Sequence, residues 1–183
     1  MAAASWFKYS RLAFISKPKA DRQLYRLAKR HQIARIVEVG IRSIAQTTSL
    51  IEVAQRFAAE GKVAYTGLDW FDARPKEQTA LTLKQTHAAL QGSGAQVRLV
   101  PGPPASSLSA IANAHQNTQL LLIAETVTDH DLETAWFYVP RMLRASSLIL
   151  RQRMDPNGQP TYIQISVSDL ADRVERAARR RAA

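Results

Sequence analysis

The stretch that decides the fold is "RIVEVGIRSIAQTTSL", residues 35–50. It begins with a short apolar run, reaches a single glycine at Gly40, and continues into a segment with good helix formers. A short, continuous apolar run is typical of a strand that is buried on both faces. The stretch therefore predicts a buried strand, a tight turn at Gly40, and a helix.

The same alternation of apolar runs and helical patterns continues along the chain. It predicts strands near residues 34–39, 63–68, 96–100, 118–124 and 146–151, and helices near residues 19–33, 45–61, 76–92, 104–116 and 129–144. Parallel strands need crossover connections, and right-handed crossovers place helices on the sheet. The fold class that we predict is therefore α/β: a doubly wound, mostly parallel sheet with helices on both faces.

Three residues are expected to end or cap these helices. Asp21 is a candidate N-cap of the first helix, and Gly61 stands where a left-handed cap would close the second. Pro140 is expected to end or kink the helix at residues 129–144.

The C-terminal part departs from the alternation. The segment "DPNG", residues 155–158, has the composition of a hairpin turn, so an antiparallel strand is expected near residues 161–166. A basic amphipathic helix from about Ser168 then closes the chain. Leu170 and Val174 are expected to pack on the domain, while Arg179, Arg180 and Arg181 stay in solvent.

Length and composition narrow the class of protein. The chain has 183 residues, 46% of them apolar, which suits one domain at residues 20–183 after a basic, aromatic arm at residues 1–19. It contains no cysteine, which excludes disulfides, thiolate zinc sites and cysteine nucleophiles, and its four histidines lack metal-ligand spacing. We expect no metal, no membrane span and a cytoplasmic location.

Positive charge is concentrated at both ends of the chain. The formal net charge is +10, with basic residues crowded into residues 8–30 and residues 173–181. A solvated surface explains such charge most simply, whereas binding of a nucleic acid or another polyanion would use it by counterion release. A homodimer also stays open as a hypothesis.

The loop after the first strand carries a resemblance to a known family. In "EVGIRSI", Glu38 and Gly40 match the acidic residue and first glycine of the Gly-x-Gly-x-Gly turn, while Arg42 and Ile44 stand at the second and third glycine positions. The sequence here resembles the class I S-adenosylmethionine-dependent methyltransferases, which have a Rossmann-like fold, with a degenerate glycine-rich motif. The resemblance implies S-adenosylmethionine as cofactor and a methyl acceptor, small-molecule or macromolecular, that it does not identify.

The resemblance extends to the ends of later strands. In the family, an acidic residue at the end of the second strand binds the ribose hydroxyls, and "TGLDWFDARP" places Asp69 there, with Trp70 beside it to flank an adenine. After the third strand, Pro103 replaces the usual aspartate, and after the fourth strand "LIAETVTDHD" offers Glu125. The cofactor-binding residues that the resemblance implies are Glu38, Gly40, Arg42, Asp69, Trp70 and Glu125; no catalytic residue is identified.

Each of these residues also has a purely structural interpretation. Glu38 can pair with nearby donors, Asp69 can form a turn, and Arg42 can be a surface residue. Three functions therefore stay open: a working methyltransferase whose Arg42 and Ile44 side chains crowd the cofactor, a methyltransferase-like binding module that has lost the cofactor, and a basic module for nucleic acid.

Overall fold

A computed structural model describes residues 3–182 and contains one mixed sheet of six strands. The strands are β1 (Arg35–Val39), β2 (Ala64–Asp69), β3 (Gln96–Pro101), β4 (Thr118–Ile123), β5 (Leu143–Met154) and β6 (Pro160–Gln164). Their order across the sheet is β3-β2-β1-β4-β5-β6, and the first five are parallel. Only β6 runs antiparallel, against β5. Every predicted strand and its direction are confirmed.

Seven α-helices cover the sheet in the part of the chain that the structure describes. They are α1 (Trp6–Phe14), α2 (Lys19–Arg30), α3 (Ile44–Phe57), α4 (Leu83–Gln91), α5 (Pro104–Ile111), α6 (Val139–Met142) and α7 (Val167–Ala182). None of these helices is long and apolar enough to cross a bilayer.

Two apolar cores lie on opposite faces of the sheet. One joins α1, α2, α3 and α4 to the sheet through residues such as Leu24, Ile51 and Leu90. The other joins α5, α6 and α7 to the opposite face through residues such as Leu108 and Ala177. Side chains alternate between the faces along each strand, so Ile36 enters the first core and Val37 the second. The predicted helices on both faces are confirmed.

The N-terminal segment is helical and packs on the domain. Tyr9, Leu12 and Ala13 of α1 are buried in the first core. The Lys8 ammonium lies 2.6 Å from the Glu52 carboxylate of α3, and the Ala4 amide donates to the Glu52 carbonyl at 3.1 Å. The inner face of α1 is therefore held on α3 by both apolar and polar contacts.

Several predicted helix boundaries were wrong. Helix α2 starts at Lys19 with Pro18 in the cap position, so Asp21 lies inside the first turn and is not the N-cap. Helix α3 ends at Phe57, and Gly61 has its positive φ of 63° in the loop beyond it. Helix α4 begins only at Leu83, because the Thr82 side chain caps it by accepting from the Gln85 amide.

The segment at residues 129–144 is not one helix either. It contains a 3-10 turn (Ala135–Phe137) and the short α6, with Pro140 in the first turn of α6 rather than at a kink. The Asp131 carboxylate accepts hydrogen bonds from the amide and hydroxyl of Thr128, each at 2.7 Å. These local bonds compete with regular helix hydrogen bonding.

The C-terminal helix agrees with its prediction in part, since Val174 is only half-buried and the buried residue of α7 is Ala177. Leu170 packs against the second core, and the Arg179 and Arg180 side chains keep 77% and 60% of their exposure. Arg180 nevertheless forms an ion pair with Glu133.

Candidate functional site

The candidate site lies at the carboxyl ends of β1, β2 and β4. Strand order reverses between β1 and β4, and ligands of open parallel sheets bind beside such a reversal. The loops that meet there follow Val39, Asp69 and Ile123. The structure brings Gly40 and Asp69 together at this edge, because the Ile41 amide donates to the Asp69 carboxylate at 2.7 Å.

Asp69 is buried, and its carboxylate is fully occupied by donors from the chain itself. The Ile41 and Phe71 amides donate to it at 2.7 and 2.9 Å. Arg74 donates to both oxygens, through Nε at 2.7 Å and Nη2 at 2.5 Å. The Arg74 side chain is only 8% exposed and also donates to the Ile41 and Thr79 carbonyls. Asp69 and Arg74 thus form a bidentate, buried ion pair.

The donor pattern around Asp69 has two parts. The two backbone amides fix the direction of the carboxylate. The Arg74 guanidinium supplies the other two donors, one to each oxygen. A vicinal diol would supply two donors to the same pair of oxygens. Asp69 is therefore oriented for such a group, and Arg74 covers it.

Gly40 has a left-handed backbone and a crowded surface. Its φ is 76°, a conformation that glycine adopts without strain. A Cβ at this position would lie 2.7 Å from Cγ2 of Val127 and 2.9 Å from Cβ of Ala124. Glycine is required here because the loop after β4 lies directly on it.

Glu38 lies on the α3 face of the sheet, one residue before the end of β1. Its Oε2 accepts from the Tyr65 hydroxyl at 2.7 Å and from the Thr47 hydroxyl at 3.0 Å. Desolvation by complete burial raises the pKa of Glu38 to about 7, against the lowering effect of these two hydrogen bonds. Glu38 therefore links β1, β2 and α3 and titrates near neutral pH.

This burial predicts a pH dependence of stability. The folded-state pKa of about 7 exceeds the ordinary value of 4.5, so the folded protein holds this proton more tightly than the unfolded chain. The protonated Glu38 therefore contributes about 3 kcal/mol to the free energy of unfolding below pH 4.5, and this contribution is lost as the pH rises through about 7. Urea unfolding between these pH values should show Glu38→Gln removing this loss, whereas Glu60→Gln, at an exposed site, leaves it. A wild-type loss that persists in Glu38→Gln would contradict the assignment.

The Arg42 side chain turns toward α2 instead of toward the strand ends. Its Nη2 donates to both oxygens of Asp21 at 2.8 Å, and its Nε donates to Gln46 at 2.9 Å. Gln46 donates in turn to Asp21 and to the Tyr162 hydroxyl. Arg42 thus belongs to a polar cluster between α2, α3 and β6.

The remaining predicted residues differ in burial. Trp70 is half-buried, and Glu125 is exposed in the loop after β4. Phe71, next to Trp70, is buried with Ile41 and Leu81 in a small apolar cluster that Ile44 also contacts. The structure thus gathers Gly40 and Asp69, whereas Glu38 and Arg42 face the helices on one side.

Sequence reasoning missed two residues of the site. Arg74 follows Asp69 by one short turn in "DWFDAR", and Val127 lies in the loop after β4. The sequence feature that pointed to Arg74 was an arginine five positions after the carboxylate at the end of a strand. The signal for Val127 was an apolar residue inside a polar loop.

Comparison with known proteins supports the architecture. No family model matches the sequence, and no curated protein matches it. Among solved structures, the chain is similar to the O-methyltransferase TomG from Streptomyces achromogenes in complex with S-adenosylmethionine, at TM-score 0.56 and 13% identity, covering 100% of this chain and 80% of that one.

It is also similar to an O-methyltransferase from Bacillus cereus in complex with S-adenosylhomocysteine, at TM-score 0.54 and 17% identity, covering 94% of this chain and 73% of that one. In both comparisons the likeness lies in the fold, since the sequence identity is low. The six-stranded sheet, with its antiparallel last strand and helices on both faces, is the Rossmann-like fold of the class I methyltransferases.

Proposed function

We propose that the protein is an S-adenosylmethionine-dependent methyltransferase that binds its cofactor at the carboxyl ends of β1 and β2. The observation that carries this proposal is Asp69. It is a buried carboxylate at the end of β2, oriented by the Ile41 and Phe71 amides toward a pair of donors. Two similar structures hold S-adenosylmethionine or S-adenosylhomocysteine, which supports the choice of cofactor.

The Asp69 carboxylate can accept hydrogen bonds from the cofactor, whereas Arg74 covers that carboxylate in the structure. Asp69 would hold the ribose hydroxyls, and the turn at Gly40 would let the backbone approach. In the structure Arg74 donates to both oxygens of Asp69 and the Val127 side chain lies against Gly40, so we expect both side chains to move when the ligand enters. We expect the ribose hydroxyls to take over the two hydrogen bonds that Arg74 donates to Asp69 when they displace its guanidinium.

The protein contributes positioning more than acid–base chemistry in this proposal. The bound cofactor supplies a methyl group on a sulfonium, which is a good leaving group. Placing the acceptor in line with that methyl group accounts for much of such a rate enhancement. The acceptor, small-molecule or macromolecular, is left open. The cytoplasmic location stays a prediction from the composition.

A second candidate function rests on the same closed site. The Arg74 and Asp69 pair satisfies the carboxylate completely, and Ile41, Phe71 and Leu81 form an apolar cluster beside it. These contacts favour a methyltransferase-like binding module that no longer takes the cofactor. The two candidates differ in one measurable property, which is affinity for S-adenosylhomocysteine.

Titration calorimetry with S-adenosylhomocysteine tests the proposal. We expect wild-type dissociation constants of tens of micromolar, or about 6–7 kcal/mol, because Arg74 must be displaced first. Asp69→Asn should weaken binding about 10- to 100-fold, the usual effect of losing a charged hydrogen-bond partner. Asp72→Asn makes the same chemical change at an exposed neighbouring position and should bind like the wild type.

The outcome distinguishes the two candidates. Equal affinity of the wild type and a folded Asp69→Asn variant would remove Asp69 from the site. If neither the wild type nor an Arg74 variant binds S-adenosylhomocysteine or S-adenosylmethionine, the result favours the binding module over the methyltransferase.

A further inference from the structure

An exposed apolar surface on α1 has no role in the candidate site. Phe7, Phe14 and Ile15 expose 83%, 60% and 68% of their area, and Trp6 exposes 57%. We call these four residues the α1 apolar face. Scattered exposed apolar residues are ordinary on protein surfaces, whereas four large ones on a single short helix and its end mark an interaction site.

Phe7 and Phe14 point away from the domain, whereas the Trp6 ring, at the edge of the apolar face, packs against the rings of Tyr9 and Phe57 with centroids 5.9 and 6.4 Å away. Tyr9, Leu12 and Ala13 hold the inner side of α1 against the core, and the ion pair from Lys8 to Glu52 fixes it on α3. Phe7 and Phe14 are seven positions apart, so they project in nearly the same direction. Since α1 is already anchored by its inner side, the outward side chains of Phe7 and Phe14 are not needed to hold it on the domain.

Basic groups surround this apolar face. Arg11 lies on its exposed side, and Lys17, Lys19 and Arg26 are exposed at and beyond the turn into α2. Arg22 donates to the Ser16 carbonyl at 2.6 Å and to the Ile15 carbonyl at 3.3 Å, which fixes its guanidinium beside the apolar residues.

Acidic groups are few in the same region, although Asp155, in the turn before β6, lines a pocket together with Lys17, Lys19 and Arg26. Asp21 is the one acidic residue between residues 3 and 31, and it is buried in its pair with Arg42. The surface therefore combines protruding apolar side chains with an excess of positive charge.

We propose that this surface of α1 and the start of α2 binds the interface of an anionic lipid bilayer. Aromatic and aliphatic side chains on the outer side of a helix bury themselves among lipid headgroups, while nearby lysines and arginines are attracted to anionic lipids. The helix lies on the membrane in this arrangement and does not span it. The proposal is independent of the cofactor site.

Two other occupants fit the surface less well. A second copy of this chain would bring the same positive charges together, which opposes a symmetric contact through α1. RNA binding would use aromatic rings as stacking platforms. The Trp6 ring already has the Lys29 ammonium 4.8 Å and the Arg56 guanidinium 5.6 Å from its centroid, and Ile15 cannot stack.

Sedimentation with phospholipid vesicles tests the proposal on the full chain. We expect binding to vesicles that contain phosphatidylcholine and phosphatidylserine, little binding to phosphatidylcholine alone, and weakening by added salt. The double variant Phe7→Ser/Phe14→Ser should bind the mixed vesicles at least about tenfold more weakly, because it removes the two most outward apolar groups. Lys17→Gln/Lys19→Gln should weaken binding by a similar factor through charge.

Matched variants on the other face of the sheet are the controls. Val167 is 85% exposed at the start of α7, and Arg176 and Arg179 are exposed farther along that helix. Val167→Ser and Arg176→Gln/Arg179→Gln repeat the polarity and charge changes away from α1, and both should bind vesicles like the wild type. Circular dichroism confirms that each variant is folded.

The results separate the occupants. Loss of vesicle binding in the α1 variants alone supports the proposal. It is overturned if the wild type does not bind the mixed vesicles, if the α7 variants lose binding equally, or if Phe7→Ser/Phe14→Ser abolishes only binding to single-stranded RNA or only a concentration-dependent dimer.

Discussion

Arg74→Ala is expected to tighten binding of S-adenosylhomocysteine about tenfold while making the protein much less stable. Arg74 holds both oxygens of Asp69 and is itself buried, so it competes directly with the ribose hydroxyls. Its removal leaves a buried carboxylate without its charged partner, which lowers the free energy of unfolding by about 3–5 kcal/mol. Ligand binding then restores donors to that carboxylate, so saturating S-adenosylhomocysteine should raise the melting temperature more in the variant than in the wild type.

Two further variants make this result specific. Lys8→Ala also removes the cationic partner of a buried carboxylate, that of Glu52, but far from the strand ends, so it should lower stability without changing ligand affinity. Arg74→Lys keeps the charge but loses the planar fork, so its affinity should fall between those of the wild type and the alanine variant. Weaker binding by a folded Arg74→Ala protein would show instead that Arg74 contacts the ligand.

Gly40→Ala is expected to lower the free energy of unfolding by about 2–5 kcal/mol, from a strained backbone and from overpacking. The φ of 76° disfavours any side chain, and the new methyl group would collide with Val127 and Ala124. Urea denaturation measures the loss. Because Val127 approaches most closely, the double variant Gly40→Ala/Val127→Ala should lose less than the sum of the two single variants.

Gly158 provides the matched control for Gly40. It has a similar φ of 69°, but a Cβ there would meet nothing within 4 Å. Gly158→Ala therefore carries the backbone strain alone, about 1–2 kcal/mol. Equal losses for the two alanine variants would mean that the loop after β4 yields freely at Gly40, and that the site opens at little cost.

Most of the strands could be predicted from sequence because β1, β2, β4 and the middle of β5 are apolar runs, whereas β6 was predicted from the hairpin turn before it. Burial on both faces makes such runs distinct, as in "LLLI" of β4. The ends of helices depended on side-chain hydrogen bonds that a pattern does not reveal. Thr82, rather than the earlier residues of that helical pattern, caps α4, and Asp131 bonds locally to Thr128. These side-chain hydrogen bonds to the backbone compete with helix hydrogen bonds, and they set the helix boundaries that we predicted wrongly.

The candidate site was only partly predictable for a different reason. The positions of Gly40 and Asp69 follow from the strands that precede them, since the ends of parallel strands share one edge of the sheet. Which donors satisfy Asp69 depends on how the chain turns back after Phe71, and nothing in the sequence states that Arg74 returns to Asp69. Likewise, Arg42 could be placed in the loop, but its pairing with Asp21 depends on where α2 packs.

The central place of β1 in the sheet has a consequence for synthesis of the chain. β1 is the first strand to leave the ribosome, and it pairs with β2 on one side and β4 on the other, with Ile36 opposite Leu120. Until β4 emerges, β1 remains an open edge strand, and α5 is the one helix of the second face, among the described helices, that has been made. An unpaired apolar edge invites aggregation, so the nascent chain stays vulnerable at this edge until β4 arrives, even after β2 and β3 have paired.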